Sequence, residues 1–92
     1  MAATKSDIRE WLKEAQRLGA THMVVMTDLV DFDDSPLYIM PGKDPREEFE
    51  LYKLKMGDYK VMECYAMHLD IESQLNEWRA QHWGPAPAGK TL

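Results

Sequence analysis

A single cysteine, Cys64, is the whole thiol complement of this 92-residue chain. No intramolecular disulfide can form, and Cys-based zinc sites are excluded with it. No apolar run approaches the ~20 residues that cross a bilayer as a helix. The opening stretch, MAATKSDIREW, lacks the apolar core of a signal peptide, which points to a cytoplasmic chain. Five scattered glycines make neither a G-x-G-x-x-G nor a Walker pattern, the usual backbone cradles for nucleotide phosphates. No two of His22, His68 and His82 stand four residues apart, so the zincin arrangement is missing too. Ser6, Ser35 and Ser73 lie outside any nucleophile elbow. Positive charge is also short, with 11 bases against 16 acids and a net charge of −5. That balance works against unspecific attachment to nucleic acid or to an anionic membrane.

What is present fits one small domain. Three Trp, four Tyr, two Phe and seven Met supply large side chains to a core that a chain this short must keep thin. Ile8, Trp11, Leu12, Ala15 and Leu18 recur with helical period, predicting a first helix from about Asp7, capped by Ser6 or Asp7, to Leu18 before Gly19. Thr21–Thr27 reads as a strand, and Leu37–Met40 as a second, stopped by Pro41 and Gly42. Between them DLVDFDDSP predicts a wide hairpin loop. Asp44, Pro45 and Glu47 mark a helix start, with the helix running to about Lys53. Lys60–Met67 reads as a third strand. Val61, Glu63, Tyr65 and Met67 alternate with Met62, Cys64 and Ala66, and both faces are apolar enough for a central strand. Asp70 caps a last helix whose stripe is Ile71, Leu75, Trp78 and His82, ended by Gly84. The expected fold is α+β, in the order α-β-β-α-β-α, with a three-stranded mixed sheet packed with helices. The domain spans 1–83, and 84–92, GPAPAGKTL, is expected as a flexible tail.

Three groups of residues invite a functional reading. Asp28, Asp31, Asp33 and Asp34 crowd the hairpin loop. Read as an EF-hand from Asp31, the pattern fails, with Ser35, Pro36 and Gly42 where an acid, a glycine and a bidentate Glu belong. No metal is assigned, and the acids read as a recognition surface for a partner. On the sheet, Glu63 with Tyr65 and Tyr38 can line a pocket for a cationic or hydroxyl-rich small ligand. His22 can meet His68 if their strand ends are neighbours, most simply as hydrogen-bonded structural imidazoles. Cys64 has the setting of an inert buried thiol. Trp83, off the helical stripe, either anchors a partner or second copy, or folds over its own core. No catalytic residue and no cofactor is assigned.

The stretches GATHMVVMTDLVDFDDSPLYIMPGKDPRE and VMECYAMHLDIESQLNEWRAQHW resemble a family of small proteins encoded by bacteriophages and prophages. The resemblance covers about three quarters of the chain, and implies a phage accessory protein acting in the host cytoplasm. It implies no catalytic residues. With the residue readings, the expectation is a non-catalytic protein that inhibits or sequesters a host protein or a small nucleotide-like metabolite, possible as a homodimer. The alternative is a small metal-dependent hydrolase or nuclease using the Asp28–Asp34 loop.

Overall fold

Thr4 opens the first helix. In the computed structural model, which describes residues 3–87, α1 spans Lys5–Leu18. The Thr4 hydroxyl accepts the Asp7 N–H at 3.1 Å, and the Asp7 carboxylate accepts the Thr4 N–H at 3.0 Å. This reciprocal pair satisfies two open donors, which is why the helix begins upstream of the expected Ser6 or Asp7 cap. Gly19, at φ +78°, closes the helix in a conformation that a Cβ would strain, and donates to the Ala15 and Gln16 carbonyls.

The remaining elements are β1 (His22–Asp28), β2 (Asp34–Ile39), α2 (Pro45–Met56), β3 (Tyr59–Ala66) and α3 (Ile71–Leu75). The order is the α-β-β-α-β-α expected of an α+β chain. The three strands lie in the order β2-β1-β3, and β1 is antiparallel to both neighbours. This corrects the expected mixed sheet, because β3 does not pair with β2 and so makes no parallel neighbour. Instead α2 carries the chain past β1 to its far side.

β1, not β3, is therefore the central strand. Met23, Val24, Val25 and Met26 are all fully buried, as a strand covered on two faces requires. Met23 and Val25 pack with Ile8, Leu12 and Ala15 of α1 and with Leu75 of α3. Val24 and Met26 pack with Ile39, Phe49 of α2 and Cys64. The sheet thus lies between α1 and α3 on one face and α2 on the other.

Strict alternation along β3 fails at one point. Val25 opposes Glu63 and Met26 opposes Val61, so Met62 is an extra residue, a β-bulge. Beyond the bulge the facing inverts. Val61 joins Cys64 on the α2 face, while Met62 packs on the α1 face with Tyr65.

α3 ends after Leu75, short of the stripe expected to reach His82. Asp70 caps it as predicted, accepting the Ser73 N–H at 2.8 Å. Strand pairing then wins over helix. The Cys64 N–H donates to the Ala80 carbonyl at 2.9 Å and the His82 N–H to the Cys64 carbonyl at 3.0 Å, a parallel bridge along the outer edge of β3. Trp78 is left 88% exposed, on no buried stripe. On the other edge, Pro36 lies inside β2. The Asp28 N–H donates to the Asp33 carbonyl, so alternation puts the Val25–Pro36 pair at a non-hydrogen-bonded position. The donor that proline lacks would face outward, and no ladder bond is lost.

Candidate functional site

The β1–β2 hairpin is tighter than the wide loop expected. The Asp28–Asp33 bond, at 2.9 Å, closes it around Leu29, Val30, Asp31 and Phe32. The Phe32 N–H donates to the Asp28 carbonyl at 2.7 Å, and Asp28 Oδ1 accepts the Val30 N–H at 2.7 Å. Leu29 donates to the Asp58 carbonyl at 3.0 Å, bracing the tip against the loop between α2 and β3.

This geometry divides the four aspartates. Asp28 organises the turn. Asp34 accepts the Thr27 hydroxyl on Oδ1 and the Ala3 N–H on Oδ2, and so ties the start of the chain to the hairpin. Asp31 and Asp33 are exposed at the tip. Among the described residues, no group of three or more His, Cys, Asp or Glu side chains converges as metal ligands.

The sequence reading missed the apolar half of this surface. Val30 is 74% and Phe32 64% exposed, and Leu29 is exposed beside them. Phe32 has φ +59°. Hairpin loops favour Gly or Asn at such a position, since a left-handed conformation costs another residue about 1–2 kcal/mol. A bulky aromatic there, turned to solvent, is the one local conflict in the hairpin. The signal was in the sequence as LVDF among the acids.

Glu63, Tyr65 and Tyr38 all lie on the α1 face, but the structure joins only two of them. The Tyr65 hydroxyl donates to Glu63 Oε1 at 3.1 Å within the buried layer. Burial, and the neighbouring Glu63 charge, push the Tyr65 phenol well above its ordinary range, so it stays a donor. Tyr38 pairs across the sheet with Met23, and Tyr65 pairs with Met23 from the other side, so a buried methionine separates the two rings. Glu63 borders a cleft of about 380 Å³ between the start of α1 and the Met62 bulge.

His22 and His68 meet edge to face, with ring centroids 6.3 Å apart. His22 is buried, and its Nε2 contacts the Gly84 carbonyl at 2.7 Å. A carbonyl only accepts, so Nε2 carries the proton, and Nδ1, 3.0 Å from Thr21 Oγ1, accepts the Thr21 hydroxyl. Both ring nitrogens are engaged, and burial lowers the His22 pKa. The contact also fastens Gly84, the first residue of the expected tail; residues 88–92 of that tail lie outside the described residues.

Cys64 is fully buried, and desolvation pushes its thiol up to about 12. A thiol so held forms almost no thiolate near neutral pH, the state nucleophilic chemistry needs. Trp83 packs against the α2-face cluster, with the Arg46 guanidinium 4.5 Å from its ring centroid, so it folds over its own core.

No helix among the described residues is long and apolar enough to cross a membrane. Compared with known proteins, the chain matches no family model, no curated protein and no solved structure.

Proposed function

We propose that this protein is a non-catalytic binding module whose hairpin tip docks on a basic, partly apolar surface of a partner protein. The observation that carries this reading is Phe32, exposed at the tip in a backbone conformation that disfavours it. Leu29 and Val30 extend the apolar contact, while Asp31 and Asp33 add charge. The backbone bonds across the turn and to Asp58 hold the tip in place before binding, which lowers the ordering cost of association. Acids around an apolar centre favour a partner that answers with Lys or Arg around a pocket.

The likeness to phage-encoded proteins directs the search to a host factor in the cytoplasm, which the protein would inhibit or sequester. That step is by analogy. A second copy of the chain has little sheet edge to pair with. Pro36 interrupts the outer donors of β2, and the Ala80–His82 segment covers β3.

Capture from infected-host lysate, compared between variants and across salt concentrations, tests the proposal. The paired change Asp31→Asn with Asp33→Asn should weaken capture and flatten its salt dependence. Phe32→Gly should abolish capture while keeping the hairpin folded, because glycine accepts the left-handed conformation. Capture that survives both changes at every salt concentration would refute the docking surface.

A further inference from the structure

Glu63 carries a charge that packing alone does not explain. It is 9% exposed, yet forms no ion pair among the described residues; its hydrogen bond is with the neutral Tyr65 hydroxyl. Buried carboxylates are ordinarily paired with a cation, because desolvation otherwise disfavours them. Alternation with Tyr65 places Glu63 on the α1 face, and the bulge brings Met62 to that same face beside it; bulges recur next to functional sites.

The surroundings show what could supply the missing cation. The cleft beside Glu63 holds about 380 Å³, room for a small molecule. Ile8, Val25 and Met62 give it apolar lining. Lys5 and Arg79 also line it, are exposed, and form no ion pair with Glu63. The other carboxylate there, Asp34, is already engaged by Thr27 and Ala3. The cleft therefore has a buried anion, an apolar wall and two cations at its rim.

The geometry points to a binding site for a small zwitterion of the α-amino acid type with an aliphatic side chain. Its ammonium sits on Glu63, its carboxylate faces Lys5 and Arg79, and its side chain lies against Ile8, Val25 and Met62. Tyr65, donating to Oε1, orients the Glu63 carboxylate and leaves Oε2 for the ammonium. Phe32 of the proposed docking surface also borders this cleft, so the two sites adjoin; Glu63→Gln leaves the hairpin tip untouched and tests the cleft by itself.

Three probes separate the charges: L-methionine, its methyl ester, which keeps only the cation, and N-acetyl-L-methionine, which keeps only the anion. Methyl NMR shifts of Val25, Ile8 and Met62 report occupancy. L-Methionine at millimolar concentration should give saturable shifts, with the ester weaker and the N-acetyl compound weaker by at least about tenfold. Glu63→Gln keeps an acceptor for Tyr65 and should leave the melting temperature unchanged or raised, while weakening L-methionine by at least about tenfold. A buried charge kept only for the fold would instead lower the melting temperature on that change, and that result would overturn the site. So would the absence of saturable shifts with all three probes, undiminished binding in the Glu63→Gln protein, or equal affinity for L-methionine and its ester.

Discussion

Gln74→Leu should be among the most damaging single changes in this fold, for reasons read directly from its bonds. Gln74 is 2% exposed. Its Oε1 accepts the Ala66 N–H at 2.8 Å and its Nε2 donates to the Ala66 carbonyl at 2.9 Å, so one side chain completes the end of β3 as a neighbouring strand would. Longer contacts from Nε2 reach the Leu69 and Asp70 carbonyls at 3.4 and 3.3 Å, tying down the turn before α3. Leucine has similar bulk but no polar atoms. It leaves the buried Ala66 N–H unpaired, at about 1–3 kcal/mol, and the Ala66 carbonyl with only the longer bond from the Leu69 N–H at 3.3 Å, at about 1 kcal/mol more. Extra apolar burial returns part of that, about 1 kcal/mol. The net loss is then about 1–3 kcal/mol, or a fall in melting temperature on the order of 5–20 °C for a domain of this size. Urea unfolding followed by tryptophan fluorescence and far-ultraviolet circular dichroism measures it. Gln74→Glu, which keeps the acceptor, should lose less near the pH where its carboxylate is protonated. A loss below about 0.5 kcal/mol for Gln74→Leu would refute the reasoning, since it lies under the net range worked from the Ala66 bonds.

Two further outcomes follow from the buried polar groups. Burial lowers the His22 pKa below its ordinary value of 6.5, so the unfolded chain binds the proton more readily. Stability should hold above pH ~6.5 and fall as pH drops below it, until the lowered folded value is passed. Melting temperatures between pH 5 and 8 would show this, and His22→Gln should flatten that part of the profile; a slope that persists in the variant would place its origin elsewhere. Cys64, with its thiol held at about 12, should resist a soluble disulfide reagent at pH 8 in the native protein and react promptly in denaturant. Fast labelling of the folded chain would contradict its burial.

Much of the architecture was legible in the chain because it is written locally. The stripe of Ile8, Leu12 and Ala15, the stop at Gly19, the Asp44–Pro45 start and the Asp70 cap depend on residues within one or two turns of each other. Where an expectation drifted, a longer-range contact overrode the local preference. The last helix stops at Leu75 because Ala80–His82 pairs with β3, and Trp78 goes to solvent with that change of course. Pro36 sits inside a strand, rather than in the loop before it, because that strand is an edge.

The candidate sites divide along the same line. That acids cluster between two strands was plain from MTDLVDFDDSPLYIM. That Asp28 and Asp34 serve the turn while Phe32 stands exposed at positive φ was not, since a turn's dihedral angles depend on which residues close it. Pairing Glu63 with Tyr65 was accessible from their spacing in a strand; separating Tyr38 from them required knowing that β1 runs between.

Residue types and their periods determined, without coordinates, the number, order and kind of the elements, because helix caps, turns and alternation are short-range matters of sterics and hydrogen bonding. Which strand lies at the centre, where Met62 bulges, and what surrounds the Glu63 carboxylate were decided only by tertiary structure. Those depend on contacts between segments far apart in the chain, chosen by the packing of both sheet faces together.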